Sequence, residues 1–128
     1  MKKVTLIILY IVLGLPVLIA QKTQEKNSPL GTWKFEAPYA PEGYTAGILV
    51  VGITGQMHTT TMSFTGNENK FPGEKVKVLN DSVLFSIYVN GEDVKLMLKI
   101  ENETKMSGKA VYSEGEVPLT LAKIADQN

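Results

Sequence analysis

The stretch that decides the fold runs from Glu74 to Lys123: EKVKVLNDSVLFSIYVNGEDVKLMLKIENETKMSGKAVYSEGEVPLTLAK. It divides into five short segments, Lys75–Leu79, Ser82–Val89, Glu92–Ile100, Lys105–Tyr112 and Val117–Lys123, in which apolar and polar residues alternate with a period of two. Asn90-Gly91 is a strong hairpin signal, because a type I′ turn needs φ > 0 at both central residues. With those two residues as the loop, Ile87 faces Val94, Phe85 faces Leu96 and Val83 faces Leu98 on one side. Tyr88/Asp93, Ser86/Lys95 and Leu84/Met97 then meet on the other side. The same count across Asn80-Asp81 sets Val78 against Val83 and Val76 against Phe85, again on the apolar side. Two independent turns agree on which face is inside, and a slip of one residue would break both.

Carrying that register onward puts Met106, Gly108, Ala110, Tyr112, Val117, Leu119 and Leu121 inside. Lys99, Lys105, Ser107, Lys109, Thr120 and Ala122 fall outside. Upstream, Gly31–Glu36 alternates with Trp33 and Phe35 on one face, and Ala46–Ile53 is an almost continuous apolar run. Met57–Thr65 is rich in threonine, which favours strands. Two registers stay open there, one placing Met57, Thr59, Thr61 and Ser63 inside, the other His58, Thr60, Met62 and Phe64. Ala37–Thr45 reads as a loop by its two prolines and its glycine, and Asn67–Gly73 as a polar loop holding Phe71-Pro72. The fold class is all-β: eight antiparallel strands in up-and-down order, which remove their edges by closing into a barrel. Val76, Val78, Val83, Phe85, Ile87, Val94, Leu96, Leu98, Leu119 and Leu121 are expected to be buried. Pro118, lacking a ladder donor, suits a strand end or a closure seam.

The first residues are of another kind. Met1-Lys2-Lys3 is a short positive region, and Val4–Ala20 is apolar apart from Thr5, with Gly14 and Pro16 near its end. That is the layout of a secretory signal helix, with cleavage between Ala20 and Gln21. An uncleaved anchor is the other reading, since the run approaches the lower limit for spanning a bilayer and Leu18 is bulky for a cleavage site. The organisation is then signal peptide 1–20, polar linker 21–29, barrel domain 30–124 and C-terminal tail 125–128. No cysteine follows the apolar run, so the lipoprotein route is closed.

Cleavage leaves 11 lysines against 13 carboxylates, so no basic field draws in nucleic acid. Arginine is absent, and with it the bidentate fork used to grip phosphate or carboxylate. Cysteine is absent too, so the domain is held by its core. These features suit a bacterial envelope protein, periplasmic or secreted.

Gly31-Thr32-Trp33 on the first strand, the meander, and a last strand returning beside the first together resemble the lipocalin-like, calycin-type barrels. In lipocalins an Arg from late in the barrel covers the strand-one Trp; this chain has none, is shorter, and lacks the helix that follows the barrel. Small β-domains of bacterial envelope proteins, some of which precede a serine hydrolase, are a nearer resemblance. They also open with Gly-x-Trp and end with a strand like Gly115–Leu121, so the likeness runs from about Leu30 to Ile124. It implies a barrel without catalysis of its own, and any helper role here would be in trans.

The residues point the same way. His58 is the single histidine, no G-x-S-x-G elbow exposes a serine, and no set of three or four metal ligands is evident. The carboxylate pairs Glu92-Asp93, Glu101/Glu103 and Glu114/Glu116 all lie at turns, where solvated charge is the ordinary reading. No enzyme, metal or cofactor is expected. A binding role has more material. Gly108 and Ala110 are small and inward, either matching large neighbours or leaving room for one small ligand. Trp33, Phe35 and Phe85 would form the walls of such a space. Tyr39 and Tyr44, on the loop stiffened by Pro38 and Pro41, would stand at its mouth, away from the short Asn80-Asp81 and Asn90-Gly91 turns. The expected contacts are therefore Trp33, Tyr39, Tyr44 and Phe85, with a small apolar or sugar-like ligand. The alternative is a protein-interaction module, an inhibitor or accessory subunit of an envelope enzyme, with a fully packed core. A membrane is a partner only if the N-terminal segment stays uncleaved.

Overall fold

The computed structural model describes residues 28–124. The signal segment 1–20, the linker up to residue 27 and the tail 125–128 lie outside the described residues. The chain forms β1 (Gly31–Glu36), β2 (Ala46–Thr54), β3 (Met57–Phe64), β4 (Lys70–Pro72), β5 (Glu74–Val78), β6 (Ser82–Val89), β7 (Glu92–Asn102), β8 (Lys105–Tyr112) and β9 (Gly115–Lys123). All pair antiparallel in one sheet of order β4-β3-β2-β1-β9-β8-β7-β6-β5. The first and last strands of that order are consecutive in the chain, separated by Gly73 alone. The sheet therefore curls until its two edges meet, giving a nearly closed up-and-down barrel.

The register of β6 and β7 is the expected one, with Ile87 opposite Val94, Phe85 opposite Leu96 and Val83 opposite Leu98. Asn90 and Gly91 adopt φ of 52° and 80°, the pair of positive values that a primed turn requires. Across the next hairpins, Met106 meets Leu121, Gly108 meets Leu119 and Ala110 meets Val117. The open register of β3 resolves through a two-residue turn, Gly55-Gln56, that sets Thr54 against Met57. Thr60, Met62 and Phe64 are thereby buried, with His58 half-buried at the end of the same face.

Three expectations need correction: the number of strands, the placement of β5 and the burial of Val94. The strands number nine, because Lys70–Pro72 pairs with β3 (Thr61 with Pro72, Met62 with Phe71, Ser63 with Lys70) where a loop was expected. Pro72 can sit there because a strand at the edge of a sheet has no second neighbour waiting for its missing donor. Val76 is not held squarely opposite Phe85 either. The pairing of β5 with β6 shifts between Glu74 and Lys77, and Lys75 has a φ of 55° at the irregularity. A bulge bends an edge strand and re-aims its side chains, and Val76 and Val78 pack against the core only half-buried. Val94 is half-buried for another reason: it lines a cavity.

Gly73 lets the seam close. Its N–H donates to the Thr60 carbonyl over 2.8 Å, and a Cβ there would overlap Thr60 Oγ1 and stand 3.1 Å from the Phe85 ring. At the opposite end of β1 from its loop, Trp33 is fully buried and its indole N–H donates to the Pro29 carbonyl at 2.9 Å. Lys123, its partner across β9, lays its ammonium 5.1 Å from the ring centroid. The core between these ends comprises Phe35, Leu49, Val51, Met62, Val83, Phe85, Ile87, Leu96, Leu98, Met106, Leu119 and Leu121.

Candidate functional site

β4 and β5 run on in one direction across Gly73, so the turns of the barrel alternate between its two ends. The end that holds the Ala37–Thr45 loop therefore also holds the Asn90-Gly91 and Ser113-Glu114 turns. The expectation that Asn90-Gly91 lies at the far end is corrected by a direct contact: Asn90 Nδ2 donates to the Tyr44 hydroxyl over 2.6 Å. Of the two short turns expected there, Asn80-Asp81 alone sits at the base, with Gly55-Gln56 and Glu103-Thr104.

The long loop is held in one shape by its own backbone. Ala37 N–H donates to the Thr45 carbonyl at 2.7 Å, Ala40 N–H to the Ala37 carbonyl at 2.9 Å, and Tyr44 N–H to the Pro41 carbonyl at 3.0 Å. Those bonds turn Tyr44 inward, where its ring meets Phe64 edge-on at 4.9 Å and an interplanar angle of 85°. Phe64 also takes Phe35 at 5.7 Å and Phe71 at 5.5 Å, so one side of the mouth is an aromatic wall. Edge-to-face packing of this kind adds roughly 0.5–1.5 kcal/mol per pair beyond the area it buries.

Beneath the loop lies a cavity of about 120 Å³. Phe35, Met62, Phe64, Ile87, Leu96, Ala110 and Leu119 line its depth, and Tyr44, Asn90, Glu92 and Tyr112 supply the polar groups of its lining. Ala110 opens part of this space, whereas Gly108 does not line it. Glu92 is half-buried and accepts a hydrogen bond from Ser113 Oγ over 2.5 Å. The volume is well below the ~300–1,000 Å³ usual for drug-sized ligands. It is closer to the ~150 Å³ apolar cavity that takes up benzene. Whatever fits is about one six-membered ring in size.

Of the four contacts expected from sequence, Tyr44 lines this cavity and Phe35, expected as a wall, does too. Tyr39 is 76% exposed and does not line it. Trp33 is buried at the base beside Pro29 and Lys123, and Phe85 is buried at the seam against Gly73. Neither lines the cavity. Phe64, Asn90, Glu92 and Tyr112 escaped the sequence reading. Counting strand parity outward from the Ala37–Thr45 loop would have brought the Asn90-Gly91 and Ser113-Glu114 turns to the same end. Among the described residues no three His, Asp or Glu side chains converge as a metal set.

No family model matches the chain, and no curated protein matches it either. Among solved structures, one of a redesigned β-barrel is similar, with a TM-score of 0.56 and 15% identity. The match covers 75% of this chain and 91% of the other. At that identity the likeness concerns the fold: a nearly closed antiparallel barrel.

Proposed function

We propose that this chain is an exported, non-catalytic barrel of lipocalin-like type that takes up a small, mostly apolar molecule at its mouth. The observation that carries the reading is the cavity under the Ala37–Thr45 loop. An interior of close-packed side chains leaves few voids larger than a water molecule. Here about 120 Å³ stays open, walled by carbon and reached from the end where Tyr44 and Asn90 meet. The rigid loop lowers the ordering cost of binding, because the groups around the ligand are already placed. Export is supported by the Lys2-Lys3 and Val4–Ala20 pattern of the N-terminus.

Toluene is a suitable probe. Titrated into the full chain and followed by methyl NMR, it should give saturable shifts at Ala110, Leu96, Val94 and Ile87. Ala110→Leu should fill the space and remove the shifts while keeping the thermal midpoint at or above that of the parent. Unsaturable or absent shifts in the parent chain would overturn the reading.

A further inference from the structure

Resting on the reading that the mouth binds a small molecule, we infer that this molecule is an amine: a short alkyl or aryl body bearing a protonated nitrogen that Glu92 receives. Glu92 is the single charged side chain in the lining of the cavity. Ser113 Oγ donates to Oε1 and fixes the carboxylate, while Oε2 has no protein partner among the described residues. Beside it, Asn90 spends an amide hydrogen on Tyr44, and its carbonyl oxygen remains an acceptor. The rim therefore offers a free carboxylate oxygen and an amide oxygen to a donor-bearing head above an apolar floor, and the Tyr44 and Tyr112 hydroxyls beside them can accept as well as donate.

The lysines of this end do not neutralise Glu92. Lys95 and Lys109 both stand on the outer face of the barrel, and Lys109 pairs with Glu116 at 3.2 Å. Lys70 is exposed on β4 and lines none of the cavity. Glu42, Asp93 and Glu114 add further carboxylates at the same end. A half-buried charge of one sign at the edge of an apolar space favours the opposite charge and opposes its own. Carboxylate-headed ligands such as short fatty acids are thus disfavoured. The volume limits the body to about one ring.

Toluene, benzylamine and benzoate share that ring and differ in charge. Titrated into the full chain by methyl NMR, benzylamine should bind about tenfold tighter than toluene, and benzoate the most weakly of the three. Glu92→Gln keeps an acceptor for Ser113; it should bring benzylamine to the level of toluene and leave toluene unchanged. Added salt should weaken benzylamine binding to the parent chain and not that of toluene, a check needing no variant. Equal affinity for toluene and benzylamine in the parent chain would overturn the amine and leave the apolar cavity standing. Failure of toluene itself to bind would overturn both.

Discussion

Lys123 holds its ammonium 5.1 Å from the ring centroid of Trp33, on the strand directly beside it. This lysine covers the tryptophan of the first strand from the last strand. Gly31 makes room for it: a Cβ there would stand 3.2 Å from Lys123 Cε, and its φ of 134° is one that other residues rarely adopt. The Gly-x-Trp triplet thus has a physical reading, with the glycine passing the lysine stem that seals the base. Cation–π contacts contribute ~0.5–2 kcal/mol, and the stem packs as well. Lys123→Ala should therefore lower the urea midpoint by the equivalent of ~1–2 kcal/mol. Lys123→Met, which keeps the stem, should recover about half; recovery of nothing would assign the whole effect to charge.

Gly73 and Thr60 form a second coupled pair. Thr60 Oγ1 is buried without a hydrogen-bond partner among the described residues, and it lies where a Gly73 side chain would go. Gly73→Ala should cost ~1–3 kcal/mol through overpacking. Thr60→Ala removes both the obstacle and an unsatisfied hydroxyl, so the double variant should be more stable than Gly73→Ala alone. Additive losses in that cycle would show that the two sites do not share the space.

Phe85 anchors the opposite side of the same seam and is 3% exposed. Emptying an aromatic core site costs ~3–5 kcal/mol, against a total of ~5–15 kcal/mol for a domain of this kind. Phe85→Ala should unfold at a much lower urea concentration than the parent. A midpoint near that of the parent would remove Phe85 from the core.

What the sequence made legible was set by local rules that tertiary contacts do not override. Asn90-Gly91 dictates its own backbone, so the partners of β6 and β7 followed by counting, and so did the inward set through Leu121. Lys70–Pro72 is not legible as a strand, because three residues carry no period and Pro72 argues against a strand unless the edge position is known. The bulge at Lys75 was invisible for a similar reason: nothing in Glu74–Val78 says that an extra residue is accommodated where the barrel closes. Trp33 and Phe85 are indistinguishable from ligand-facing residues in sequence, because aromatic inward residues look alike there. Their height along the barrel axis separates core from mouth, and that depends on strand parity and stagger.

Export makes a prediction for residues that lie outside the described part of the chain. Protein recovered from the periplasm or medium should begin at Gln21 by N-terminal sequencing. Met1 retained in the membrane fraction would favour the anchor.

The two tyrosines of the mouth loop should behave differently, although sequence treats them as a pair. Tyr39 is mostly exposed, so Tyr39→Ala should change stability by less than ~0.5 kcal/mol and leave toluene binding intact. Tyr44 joins the loop to the Asn90-Gly91 turn through its hydroxyl and leans on Phe64 through its ring. Tyr44→Phe keeps the ring and removes a bond worth ~0.5–1.5 kcal/mol net. The mouth would then open more often, and toluene should leave faster with little change in the bound-state shifts. Tyr44→Ala removes the ring as well and should weaken binding and stability together. If Tyr39→Ala abolishes binding while Tyr44→Phe leaves the dissociation rate unchanged, the ligand does not sit under this loop. The outer face around Tyr88 and Met97, whose side chains are exposed, would then be where to look for the partner.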